Sequence, residues 1–213
     1  MTKTLWLSFL VMGAGLLPGC APVLIGAGGA MAYSTLEDRR SAGVQFDDEG
    51  IELRTANRIS GRYADAVHIN ATSYNRVVLL TGEVPDARAR EDIEKIARAV
   101  PGVRGATNEL EVAGVSSLGA RTNDSFVTSK VKARLFDEGK FSSVHVKVVT
   151  ENGVVYLLGI LTEAEANQAA DIARTVAGVR KVVKVFELCK PTDEICRPRP
   201  KAPAEPQKPR AAA

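Results

Sequence analysis

The sequence has little of what enzymes use. In 213 residues it holds two histidines, three cysteines and one tryptophan, and aromatic side chains make up 5%. The histidines, His68 and His145, sit in strand-like runs, and no metal-spaced His/Cys cluster accompanies them. No Ser/His/Asp set and no phosphate-cradling glycine loop appears. "GAGGA" at 26–30 has a dinucleotide-like glycine spacing, but no strand precedes it. These absences argue against catalysis, a metal and a cofactor. A net charge of +3 is too mild to call for nucleic acid. The apolar run Leu5–Leu17 has 13 residues, too short to span a bilayer comfortably.

What is present begins with that run. Met1–Lys3 carries one cation, the apolar run follows, and then comes "LLPGC". This is the order of an export signal. Leu17, Gly19 and Cys20 resemble the lipobox of bacterial lipoproteins, with Pro18 where a smaller residue is usual. The resemblance implies cleavage after Gly19 and lipid on Cys20. Ala21 after the cysteine implies sorting to the outer membrane. Ordinary secretion with a free Cys20 is the other reading. Residues 1–19 are thus the expected signal peptide. Residues 20–43, Gly/Ala-rich and then polar, are the expected tether. Residues 191–213 are Pro-rich, without hydrophobic periodicity, and expected to be disordered. Cys189 and Cys196 have six residues between them. An oxidising compartment favours a disulfide there, and two cysteines alone make a poor metal site.

The middle of the chain repeats. "IARAVPGVR" at 96–104 returns as "IARTVAGVR" at 172–180, and "NRVVLLTG" at 75–82 as "NGVVYLLG" at 152–159. Two units follow, 44–114 and 115–190. In the second, 125–136 reads as a helix with Asp124 as its N-cap. An alternating strand covers 144–150, "ENG" is a hairpin turn, and 154–161 is the return strand. Thr162 and Glu165 form a capping box for a helix over 164–176, which Gly178 ends, before a strand at 182–188. The first unit repeats this with helix 49–60, strands 67–73 and 77–83, helix 86–100 and strand 106–112. The fold class is therefore α+β, two tandem α-β-β-α-β units, each a three-stranded sheet covered on one face by two helices. About 70 residues is near the lower limit for one core, so the units gain by packing together. Tyr74, Tyr156 and Phe186 read as core or strand residues. The acidic pairs Asp47–Asp48 and Glu91–Asp92 read as solvated faces.

These units resemble BON domains, on Val77–Gly82 with Ala97–Asn108 and on Val154–Gly159 with Ala173–Val182. A lipobox followed by two such domains resembles the dual-BON outer-membrane lipoproteins. The resemblance implies a non-enzymatic protein on the periplasmic face of the outer membrane. It implies binding of anionic, phosphatidylglycerol-like phospholipid and support of envelope integrity, with division sites among its places of action. The contact it implies is the first helix of the second domain, with Phe126, Lys130, Lys132, Ala133, Arg134 and Phe136.

That helix carries a puzzle of its own. Val127, Val131 and Leu135 share one face, while Phe126 and Phe136 lie roughly 140° from its centre, among three cations. At an offset of 76 residues, Phe126 falls on Gly50 and Phe136 on Ser60, so the scaffold does not require them. Residues 44–114 hold nine basic and twelve acidic side chains; residues 115–190 hold eleven and eight. Only the second unit has the sign an anionic surface attracts. Two readings stay open: the phenylalanines meet lipid, or they pack between the two units. A third use of the exposed helix is docking an envelope protein, such as a cell-wall enzyme regulator or an assembly factor.

Overall fold

The computed structural model describes residues 38–139 and 141–197, the Asp65 side chain excepted. The expected signal peptide, Cys20, most of the tether and most of the Pro-rich tail lie outside the described residues. The first half runs α1 (Ala42–Tyr63), β1 (His68–Tyr74), β2 (Val77–Val84) and α2 (Ala87–Arg98), then a third strand in two segments, β3 (Gly105–Asn108) and β4 (Glu111–Val112). The second half runs α3 (Leu118–Glu138), β5 (Val146–Glu151), β6 (Val154–Leu161), α4 (Glu163–Arg174) and β7 (Lys181–Leu188). In each half the hairpin is antiparallel and the last strand lies parallel to the central one. Both faces of each central strand are buried; β6 reads as a near-continuous apolar run, and β2 is apolar except for Thr81, Gly82 and Glu83.

Both hairpins turn through two residues with positive φ: Asn75 and Arg76, then Asn152 and Gly153. This is the primed turn that follows strand twist. A glycine recurs in each return strand because there is no room for a side chain. A Cβ on Gly82 would stand 2.0 Å from the His68 carbonyl oxygen, and one on Gly159 2.4 Å from that of His145.

Several sequence expectations change here. Both leading helices start two turns early, at the true N-caps Ser41 and Ser117, which accept from Val44 N–H and Ala120 N–H. Those turns project past the core, so no apolar stripe announces them. Asp124 is not a cap. It is buried inside α3 and accepts the main-chain N–H groups of Asn152 and Gly153, each at 2.8 Å. Asp48 does the same in α1. It is buried, not solvated, and takes Asn75 N–H, Arg76 N–H and the Ser73 hydroxyl. Each aspartate thus ties its helix to the hairpin turn of its own sheet. Asp92 is half-buried and accepts from the Tyr63 hydroxyl at 2.7 Å. The Thr162–Glu165 capping box forms. Its helix, however, ends at a C-cap on Thr175, and Gly178 lies beyond it with φ +100°. A Cβ there would meet Val127 at 2.9 Å, so the glycine lets this turn close on α3.

Each pair of helices covers one face of its sheet. Ile51, Ile59, Val78, Leu80, Ile93 and Ala97 fill one core; Val127, Val131, Leu135, Val155, Leu157 and Ala169 fill the other. The opposite faces meet each other. Tyr74 and Leu79 pack with Tyr156, Leu158 and Ile160 in a third core. The described residues therefore stack in four layers, helices outside and two sheets within.

Polar bonds edge this seam. Asn70 Nδ2 donates to Glu151 at 2.6 Å, with His68 Nε2 3.7 Å from the same carboxylate. Burial raises the Glu151 pKa above the usual carboxylate value, against the pull of Asn70 and His68. Lys147 bonds Glu52 at 2.6 Å. The last residues of the expected tether belong to the fold. Arg39 holds Glu165 through both oxygens at 2.8 Å and donates to the Ile160 carbonyl. Arg40 bonds Asp38 and Asp48 and lies 3.9 Å over the Tyr74 ring. Beyond β7, Cys189 and Cys196 are joined as a disulfide with Cα atoms 6.3 Å apart. Cys196 is buried in the seam core, so the tail begins with a packed loop, not at residue 191 as expected.

Candidate functional site

α3 presents two faces. Val127, Val131, Leu135 and Asp124 are buried. The opposite face bears Leu118, Phe126 and Phe136, which keep 76%, 63% and 77% of their surface in water. Leu118 and Phe136 stand about 27 Å apart along the axis. Neither phenylalanine packs between the halves, which removes that alternative. Leu118 was missed because it lies before the expected start of the helix.

The hydroxyls between them are turned inward. Thr122 donates to the Leu118 carbonyl, Ser125 to Arg121 and Ser129 to Ser125, at 2.9–3.0 Å. Each hydroxyl hydrogen is satisfied one turn back along the helix. A strip that looks polar by composition thus exposes few donors that need water.

The cations are less free than their spacing suggested. Lys130 lies 4.8 Å over the Phe126 ring and bonds the Ala177 carbonyl after α4. Arg134 pairs with Glu138 at 2.8 Å. Lys132 is exposed and has no ion-pair partner among the described residues. Ala133 is exposed beside it. Among the described residues no helix is long and apolar enough to cross a membrane. Nor could any group of three or more His, Cys, Asp or Glu among them hold a metal ion.

The first half offers a milder version of this face. Phe46 and Leu53, seven residues apart on one side of α1, are 73% and 62% exposed. The comparison of helices at a fixed offset therefore overstated the difference. Phe46 falls before the expected helix and aligns with Thr122, so position-by-position matching passed over it.

Comparison with known proteins accounts for the duplicated architecture. A family model described as "BON domain" matches residues 47–114 and again 123–190. The chain belongs to the BON-domain family. The chain is 40% identical over 181 residues to "Outer membrane lipoprotein DolP" of Haemophilus influenzae, covering 84% of this chain and 93% of that protein. It is 39% identical over 151 residues to "21 kDa hemolysin" of Actinobacillus pleuropneumoniae, covering 70% and 78%. It is 35% identical over 141 residues to "Osmotically-inducible protein Y" of Escherichia coli, covering 64% and 70%.

Proposed function

We propose that this dual-BON protein is an outer-membrane lipoprotein of the periplasmic face, anchored by lipid on Cys20. It binds anionic phospholipid through the outer face of α3 and supports envelope integrity, at division sites among others. The observation that carries the reading is the face itself: two phenylalanines and a leucine in water, separated by hydroxyls bonded back to the helix. The similarity to an outer-membrane lipoprotein over most of both chains supports the location.

Burying one such side chain is worth roughly 1.5–3 kcal/mol. A free cation such as Lys132 adds about 1 kcal/mol at an anionic surface. After orientation costs, about 5 kcal/mol remains, a dissociation constant on the order of 0.1–1 mM. That suffices for an anchored domain, whose local concentration near the bilayer is itself millimolar. The acyl chains hold the protein at the membrane, and α3 selects lipid charge and sets the orientation.

The test is co-sedimentation of the chain without residues 1–37 with vesicles containing phosphatidylglycerol. Wild type should pellet at low salt and less at high salt. Phe136→Asp and Phe126→Asp should lose binding at an unchanged melting temperature. If wild type stays in the supernatant, or the folded variants pellet like wild type, the lipid reading fails.

A further inference from the structure

The seam between the two BON domains has two sides, and they are not equally finished. Offsets of 76 and 77 residues map one on the other: Asn75 on Asn152, Arg104 on Arg180, Glu111 on Glu187, Leu79 on Tyr156. The bonds follow the same rule. Asn75 Nδ2 donates to Glu187 at 2.7 Å, and Asn152 Nδ2 donates to Glu111 at 3.4 Å. On the Glu187 side the chain fills the gap itself. Cys196 of the disulfide loop is buried in one cluster with Leu79, Val185 and Cys189. On the Glu111 side no such loop follows. There a groove of about 720 Å³ lies open between residues 109–113 and the starts of β6 and β7. Arg90, Arg180 and Lys181 line it together with Glu109, Glu111 and Tyr156. Two of those cations have no counterpart on the filled side, where Gly105 stands for Lys181 and Ala166 for Arg90. β4 pairs with β2 along one edge and, among the described residues, has no strand along the other.

We propose that this open groove binds a short extended peptide, rich in acidic and apolar residues, presented by another protein. On the filled side a short turn of the chain closes the seam. Residues 191–196 close it as a disulfide-bound loop ending in a 3-10 turn, Glu194–Cys196, with Cys196 buried and Asp193, Glu194 and Ile195 exposed. The open side has two added cations and apolar lining from Val112, Val154 and Tyr156, so it favours a ligand that carries both acidic and apolar groups. An extended backbone can add to the free edge of β4. A carboxylate meets Lys181 and Arg180 in charge-assisted hydrogen bonds. Lys181 makes no ion pair among the described residues, whereas Glu111 is already engaged by Asn152. Glu109 faces the same space and disfavours a purely polyacidic ligand. The site is separate from the outer face of α3 and stands or falls independently of it.

Random heptapeptides displayed on phage, panned against the purified full-length chain, supply the probe. Enriched sequences are then titrated by fluorescence anisotropy against wild type, Lys181→Glu, Arg180→Glu/Lys181→Glu and Phe126→Asp. Acidic–apolar sequences should be enriched. Lys181→Glu should bind them about tenfold more weakly, the loss of one carboxylate contact. The double variant should be weaker still, and Phe126→Asp should match wild type. Melting temperatures check that the variants fold; Lys181→Glu, an exposed single change, carries the test if the double variant does not. The proposal is overturned if no sequence is enriched, if enriched sequences are basic, or if their binding ignores Lys181→Glu.

Discussion

Asp124→Ala should destabilise the chain by about 2–4 kcal/mol, although the residue touches no ligand and no core side chain needs it. The Asp124 carboxylate is 5% exposed and accepts two main-chain N–H groups of the β5–β6 turn, each at 2.8 Å. Alanine leaves both donors without an acceptor; a buried donor left unmade costs roughly 1–3 kcal/mol, which applies in full to Gly153 and in part to Asn152, whose bond is only part-buried. Removing the charge gives something back, because Asp124 helps to raise the pKa of Glu151. The remainder is a large part of the 5–15 kcal/mol typical of a folded domain. Urea unfolding followed by circular dichroism measures it. Asp124→Asn keeps one acceptor and should lose about half as much. Asp48→Ala should lose more than Asp124→Ala, since it also frees the Ser73 hydroxyl and Arg40. If Asp124→Ala lies within about 0.5 kcal/mol of wild type, as a neutral surface change does, the turn is not held by the helix and the reasoning is wrong.

Three further outcomes are expected. Arg39→Ala should cost about 1–3 kcal/mol, the worth of hydrogen bonds between charged groups. Burial alone would raise the Glu165 pKa, yet the Arg39 bonds and the Thr162 cap leave it below its usual 4.5. The pair's contribution is therefore full above pH 4.5 and fades as pH falls through the lower folded value; the gap between variant and wild type in thermal melts should narrow there. Glu151→Gln should gain on wild type as pH rises from 4.5 towards 7, because the raised pKa of Glu151 makes its ionisation costly in the folded state; a gap independent of pH refutes this. Opening the Cys189–Cys196 bond with dithiothreitol should lower stability by about 2 kcal/mol by the chain-entropy estimate for so short a loop. An unchanged urea midpoint would show that the loop is not pinned to the seam.

Local signals in the sequence carried the fold. Val127, Val131 and Leu135 announced the buried face of α3. Asn152–Gly153 announced a hairpin, and Thr162 with Glu165 a helix start, and each is where the pattern put it. The repeat then delivered the second copy. What stayed hidden depends on the third dimension. Asp124 looks like a cap because it precedes an apolar stripe; its actual partners are 28 and 29 residues away. Arg39 meets Glu165 across 126 residues, and no spacing rule reaches that far. At the candidate site, the exposure of Phe126 and Phe136 was legible from the helical wheel. The engagement of Lys130 by Ala177 was not, nor was Phe46 on a helix whose first turns carry no stripe.

With the lipid contact proposed above, the four-layer build would also make this protein a spacer. α1 and α3 lie on opposite outer faces, with two sheets between them. At about 10 Å per layer, their axes are separated by roughly 30 Å. With α3 on the bilayer, as proposed, Phe46 and Leu53 would face away from it, on the far side of both sheets. A body held on α1 would be kept at that height, out of reach of the lipid yet confined to a thin shell above it. Lipid contact and protein contact would then be set by separate helices, and each could change in sequence without disturbing the other.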